Sequence, residues 1–350
     1  MKIKFFALAV MTGLLLNIVG FAANDTGRST VKYRQASRLV SLLPASDGVA
    51  VFDSKRFLVE AVPKLLSANQ PMLNQFTTKL AEIENTSGID LRKFDQIAVG
   101  LKMKATAEKG VDFEPVVIAG GDISSGALVA MAKIASKGKY REEKIGETSV
   151  YVFTMPEAAK KTPAQVKNSK IGQVIDQGVK SIATEVAVTS LDKNTLALGS
   201  LTRVRETLEA KSQVSTDISS LLSTKETAVM SFAFKTPTGF SKTFSLDNDE
   251  LGSNIDSIQY MSGSLDVAAI GTSLQMMART AKPEQALALK DMLDALQMIG
   301  KSLLGNAKQA DKAIYGRMVK NAKLDARGND VTLEVLVPQA DIDVLVAKIN

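Results

Sequence analysis

The feature of this sequence that most constrains its fold is an order of elements that occurs twice. A strand-like segment is followed by an amphipathic helix, then by a hairpin and a short helix. The first copy uses Val116 to Ile134 with Glu185 to Leu208, and the second uses Leu274 to Ile299 with Leu324 to Leu345. When strands occur in turn with helices that have a single apolar face, they form sheets that are covered by those helices. We therefore predict an α+β fold with two related halves, each an antiparallel sheet with helices packed on one face.

The N-terminus has the composition of a secretory leader. Lys2 and Lys4 precede an apolar run from Phe5 to Phe21, and the small residues Gly20 and Ala22 fit a cleavage site directly after Ala22. We expect an exported protein, periplasmic or secreted, that is soluble once the leader is removed. An uncleaved leader that stays as an anchor is the alternative, because the apolar run could just span a bilayer. After the leader, charged residues interrupt every apolar stretch, so we predict no further membrane span.

The remaining chain divides at changes in composition. We predict a signal peptide at 1–22, a flexible lead-in at 23–38, an N-terminal α+β half at 39–211, a Ser/Thr-rich joint at 212–227 and a C-terminal α+β half at 228–350.

Three residue types are missing altogether, namely His, Cys and Trp. Their absence excludes Ser-His-Asp and Cys-His catalysis, thiolate or imidazole metal sites and disulfides. We predict no catalytic residue, no metal ligand and no cofactor. The net charge of +6 is only mildly basic and few aromatic residues accompany it, so no nucleic-acid partner is expected either.

Four short motifs are spread over most of the chain after the leader. They are Leu43-Pro44 ahead of a strand ending at Asp53, Thr86-Ser-Gly-Ile-Asp90 before the strand at Ile97, the helix Pro283 to Leu304, and the strand Val331 to Val337 with Pro338. Together they resemble a diffuse group of uncharacterised exported bacterial proteins with repeated α+β halves. The resemblance implies export and this architecture, and it has no catalytic signature to transfer.

One stretch has the pattern of an anion-binding turn, because a strand runs through glycines into a helix N-terminus. The candidate residues are Gly120, Gly121, Ser124, Ser125 and Gly126. Ala127 stands where a P-loop needs lysine, which argues against nucleotide binding. A turn in which Asp122 or Ser124 caps the helix is the simpler interpretation.

Two enzymatic alternatives stay open. Ser190 and Lys193 have the S-x-x-K spacing of a serine–lysine pair, although they fall in a hairpin turn instead of a helix start. Carboxylate chemistry would need two acidic side chains that converge, and the sequence does not locate such a pair. An unusual hydrolase of either type is therefore the alternative to a protein without catalysis.

The helix from Pro283 has the clearest apolar stripe of the chain, formed by Leu289, Met292, Leu293, Leu296, Ile299 and Leu303. We expect this stripe to be buried against the C-terminal sheet. A stripe that lines a cavity would instead indicate a carrier for an apolar ligand or lipid. The leading hypothesis is a non-catalytic exported protein that serves binding, interaction or envelope maintenance, with a protein or an apolar ligand as its partner.

Overall fold

The computed structural model describes residues 38–105, 111–154, 185–223, 225, 227–241, 249–304 and 310–347. They form two compact units. Unit 1 comprises the described residues up to Arg56 together with Gln75–Ser219, and unit 2 comprises Phe57–Asn74 together with those from Ser220 onward. The segment Phe57–Asn74 lies within the range 39–211 expected for the N-terminal half, yet it packs with unit 2. The signal peptide 1–22 and nearly all of the lead-in lie outside the described residues.

Seven strands of the described chain form the antiparallel sheet of unit 1, in the order β1-β2-β3-β7-β6-β5-β4. They are β1 (Gly48–Asp53), β2 (Phe94–Ala105), β3 (Val111–Gly121), β4 (Tyr140–Ile145), β5 (Thr148–Thr154), β6 (Glu185–Asp192) and β7 (Thr195–Gly199). Four successive residues of β3, from Val116 to Ala119, are buried. This burial explains why the second half of the strand is continuously apolar instead of alternating.

Three longer helices lie in or border unit 1: α1 (Gln70–Ser87), α2 (Ser125–Ala135) and α3 (Leu201–Glu209). The boundary between the units falls within α1. Short helical turns precede α1 at Ser54–Arg56, Phe57–Ala61 and Val62–Leu65, and further turns occur at Val40–Leu42, Leu91–Lys93 and Thr216–Ser219. Val204 of α3 packs on Val150, Val152 and Ala187, which places this helix against β5 and β6.

Unit 2 has an antiparallel sheet in the order β8-β9-β10-β12-β11. Its strands are β8 (Ala228–Lys235), β9 (Ile258–Ala268), β10 (Gly271–Thr280), β11 (Lys323–Arg327) and β12 (Asp330–Pro338). Its helices are α4 (Asp249–Asp256), α5 (Pro283–Leu304), α6 (Ala310–Asn321) and α7 (Gln339–Val346). In the described part of the chain, no helix is long and apolar enough to cross a bilayer.

The two units share one chain path. Each begins with a strand, continues through helical structure into a two-strand meander, and enters a helix after its third strand: α2 in unit 1 and α5 in unit 2. A closing hairpin then returns its second strand to the third strand, so that β7 pairs with β3 and β12 pairs with β10. A short helix follows each closing strand. The predicted α+β class with two related antiparallel halves is confirmed.

The same asparagine clamp occurs at the end of the third strand in both units. In unit 1 the Gly121 N–H donates to the Asn194 carbonyl at 3.3 Å, and the Asn194 side-chain amide donates to the Ile123 carbonyl at 3.0 Å. In unit 2 the Thr280 N–H donates to the Asn329 carbonyl at 2.9 Å, and the Asn329 amide donates to the Ala281 carbonyl at 3.1 Å. Each closing hairpin is thereby fixed to the strand-to-helix connection of its own unit.

A buried arginine attaches the start of unit 1 to α3. The side chain of Arg203 is only 1% exposed, and its guanidinium donates to the Ala45 carbonyl at 3.0 Å and to Ser46 Oγ at 2.8 Å. The guanidinium also pairs with Glu206, one turn further along the helix. Because a buried charge must be compensated, these contacts fix the position of the chain just before β1.

Candidate interaction surface

The predicted anion-binding residues meet at the junction of β3 and α2. Gly120 and Gly121 end the strand, Ser124 is the N-cap residue, and Ser125 and Gly126 begin the helix. The first helical N–H, that of Ser125, donates to the Lys193 carbonyl at 3.0 Å. The described contacts therefore tie this junction to the β6–β7 turn, as the equivalent connection is tied in unit 2. Anion binding here stays a prediction.

The acid of that turn, Asp192, organises its own loop. The Asn194 N–H donates to Asp192 Oδ1 at 2.8 Å, and this hydrogen bond holds the pKa of the carboxyl below its usual value. The Thr195 hydroxyl, at 3.0 Å, and Arg38 Nη2, at 2.8 Å, act in the same direction on the other oxygen. The carboxylate is thus held in its charged form by the turn.

The serine of the S-x-x-K pattern also has neighbours of its own. Ser190 Oγ lies 2.6 Å from Ser125 Oγ, which is fully buried, and donates to the Asp192 carbonyl at 2.9 Å. The Ser125 hydroxyl donates to the same carbonyl. Lys193 contributes its backbone carbonyl to the helix start, and its side chain is exposed. Ser124 makes no side-chain capping hydrogen bond, so the expectation that it caps the helix is wrong, and the β6–β7 turn holds the helix start instead.

The stretch from Lys133 to Lys144, which includes β4, is rich in basic residues, and two of them, Lys133 and Arg141, contact neighbouring side chains as follows. Lys133 lies over two tyrosine rings, with Nζ 4.2 Å from the centroid of Tyr151 and 5.3 Å from that of Tyr140. Arg141 pairs with Glu185 and Glu143, and the hydrogen bond that it donates to Glu185 raises the pKa of the guanidinium. The stretch behaves as a cross-linked sheet edge.

The structure differs most from the sequence prediction along α5. Its first half is buried as expected, because Ala286 and Leu289 pack with Ile258 and Val331 of the sheet. The expectation that the whole stripe is buried is wrong for the second half. Leu296 is 47% exposed, Ile299 is 55% exposed and Leu303 is 76% exposed. We call these three residues the exposed seam.

The seam is exposed because the second half of α5 is covered on one side only, by α6. Beyond the sheet contact, its second half packs on α6, where the Val319 side chain would lie 3.0 Å from a Cβ added at Gly300. The Gln297 amide donates to the carbonyls of Val319 at 2.9 Å and Ala322 at 2.6 Å. Both contacts use one side of the helix. The exposed seam lies on another side, continuing the line of Leu289 and Met292 at spacings of three and four residues.

No family model matches this chain, and no curated protein matches it. Three solved structures of TP0453 resemble it over most of its length. Crystal form I has a TM-score of 0.41 and 11% identity, covering 92% of this chain and 98% of that chain. Crystal forms IV and III have TM-scores of 0.42, with 9% and 10% identity, and cover 91% and 89% of this chain and 98% of each TP0453 chain.

Proposed function

We propose that the protein is exported into the bacterial envelope and acts there without catalysis, docking onto a partner through the exposed seam. The observation that supports this proposal is the exposure of three large aliphatic side chains in a line on one helix. Exposed aliphatic clusters of this kind mark interaction sites in soluble proteins. The N-terminal sequence supports the exported location, since it has the charge, apolar length and small residues of a cleavable leader.

The spacing of the seam supports docking more than it supports a loosely packed core. Leu296, Ile299 and Leu303 follow the four-then-three-then-four spacing that Met292 begins, so they form a continuous ridge along α5. The flanking positions Ala295 and Ser302 are small and let another surface approach the ridge closely. An aliphatic ridge with small flanks is suited to burial against a second surface.

Site-specific photo-crosslinking in cells that export the full chain tests this proposal. A benzophenone amino acid replaces Ile299 in one variant and Leu287 in a matched control. Both side chains are 55% exposed, and they lie on different sides of α5. We expect a discrete adduct, with protein or lipid, at position 299 and at least severalfold less adduct at position 287. Comparable labelling at the two positions would contradict docking through the seam.

A further inference from the structure

The segment Phe57–Asn74, which packs with unit 2, has a buried first part and a less buried second part. Four of its first six residues are buried, whereas none of residues 63–74 is buried. Segments with little buried apolar surface open locally at a lower free energy than the core does. Residues 63–74, which we call the strap, therefore depend on specific contacts for their position.

The strap contacts helix α7 through both apolar and polar groups. Leu65 packs on a buried cluster that includes Ile342 of α7. The side-chain amide of Gln339, the first residue of α7, donates to the Lys64 carbonyl at 3.0 Å and to Asp343 Oδ1 at 2.8 Å. Lys64 and Gln339 are 275 residues apart in the sequence, so only the folded chain brings these two segments together.

Asn69 joins the ends of two helices with one side chain. Its Oδ1 accepts a hydrogen bond from the Met72 N–H at 3.1 Å, which caps the start of α1. Its Nδ2 donates to the carbonyl of Val346, the last residue of α7, at 3.0 Å. Carbonyls in the last turn of a helix have no donor within that helix. Separation of the strap from α7 therefore removes a cap from α7 as well.

The site where α7 packs on the sheet contains two uncompensated polar atoms. Within the described part of the chain, Gln339 Oε1 and Thr272 Oγ1 are buried without a hydrogen-bond partner. Thr272 lies opposite Val337 in the β10–β12 pair, so it shares the face on which Val337 packs with Ile342 of α7. Water can satisfy both atoms once α7 leaves the sheet, so burying them costs free energy only while α7 is in place. This cost makes α7 easier to detach.

The strands beneath α7 are held in the sheet without it. Strand β12 pairs with β10 on one side and with β11 on the other, and β10 also pairs with β9. Detachment of α7 and the strap breaks none of these pairings. We propose that the strap and α7 form one latch, which opens as a single cooperative unit while the sheet of unit 2 stays paired. Opening uncovers the apolar side chains of Leu65, Val337 and Ile342, which pack together when the latch is closed.

Hydrogen–deuterium exchange of the full chain, read by mass spectrometry, tests the latch. The Leu73 amide donates to the Asn69 carbonyl in the strap, and the Ala347 amide donates to the Asp343 carbonyl at the end of α7. We expect peptides that contain these two amides to exchange with one common opening constant, once intrinsic rates are corrected for. That exchange should be at least about tenfold faster than the exchange of peptides from β10.

The variant Asn69→Asp separates the link to α7 from the cap of α1. Aspartate keeps an acceptor for the Met72 N–H, but it cannot donate to the Val346 carbonyl, and its charge is unfavourable at a helix C-terminus. We expect exchange of the strap and of α7 to rise by the same factor, at least about threefold, with β10 unchanged. The control Asn85→Ala, at an exposed position further along α1, should exchange like the unchanged protein.

Three results would overturn the latch. The strap and α7 could exchange with different opening constants, or β10 could exchange as fast as the strap, which would mean that the whole sheet opens. Both results come from the unchanged protein, so they hold whatever the stability of the variant. The third is a rise in exchange that Asn69→Asp causes in only one of the two segments. Far-ultraviolet circular dichroism shows whether each variant is folded.

Discussion

Two arginines on the same helix show how strongly the surroundings decide what a residue contributes. Arg203 is buried and donates to a carbonyl and a hydroxyl just before β1, whereas Arg205 is 49% exposed and reaches Glu143 at 3.3 Å. The sequence gives no sign of this difference, since both lie in one amphipathic helix and only the folded chain brings Ala45 and Ser46 beside Arg203.

Replacing Arg203 by alanine should lower the free energy of unfolding by about 2–4 kcal/mol, because it opens a cavity and leaves buried acceptors without a donor. The matched change Arg205→Ala should alter it by less than about 0.5 kcal/mol, since exposed ion pairs contribute little. Urea unfolding of the two variants measures both values. Equal losses in the two variants would mean that the buried contacts of Arg203 contribute no special stability.

Asp192 makes the stability of unit 1 depend on pH in a defined direction. Hydrogen bonds in the β6–β7 turn lower the pKa of this carboxyl in the folded protein. Its stabilising effect is therefore complete above the unfolded value of about 3.9 and is lost as the pH falls through the lower folded value. Asp192→Asn should be less stable than the unchanged protein at about pH 7, with the difference shrinking on acidification. Urea unfolding from about pH 7 to about pH 2.5 checks this, and a difference independent of pH would contradict it.

At the scale of elements, α5 combines a core segment and a surface segment in one helix. Leu289→Ala should lower the free energy of unfolding by about 2–5 kcal/mol, because this side chain is 2% exposed and its loss leaves a cavity. Ile299→Ala should change it by less than about 0.5 kcal/mol. Chemical denaturation of both variants separates the two halves of the helix. A large loss at position 299 would show that the seam is packed in solution.

Most elements could be predicted from the chain because their signals are local. Strand β1 ends at Asp53 as predicted, and the proline at 283 opens α5 as expected. Sequence periodicity identifies the apolar side of a helix, but it does not show how much of that side is buried. The buried length depends on how far the underlying sheet extends along the helix. The sequence therefore identified the residues of the exposed seam as part of an apolar stripe, but it did not show that they are exposed. Helix α6 was missed because Ile314 and Met318 alone give a weak stripe.

For the candidate site too, the sequence predicted the local features but not the contacts between distant segments. The glycine turn at β3 was recognised from its pattern, but the asparagine of a distant hairpin that clamps it was not, because 71 residues separate Ile123 from Asn194. Only the pairing of β3 with β7 brings them together. The same clamp recurs in unit 2. This recurrence indicates that the glycine turn after β3 serves to hold the closing hairpin, a role that no single motif indicates.

For the whole molecule, the proposed location makes a direct prediction about its first residue. The exported protein should begin at Ala23 or Asn24, because small residues at Gly20 and Ala22 suit a signal peptidase. Mass spectrometry of the intact protein from an exporting cell gives the answer. Intact Met1 on membrane-bound material would establish a retained anchor instead.

The shared chain path of the two units has a consequence for how this protein can vary. Between the helix after the third strand and the closing hairpin, the described residues form the β4–β5 hairpin in unit 1 and α6 in unit 2. The same slot thus accepts either a pair of strands or a helix, while the clamped frame around it is retained. Tolerance of this kind makes the slot a place for new recognition elements to arise, by evolution or by grafting, and the exposed seam lies directly beside it.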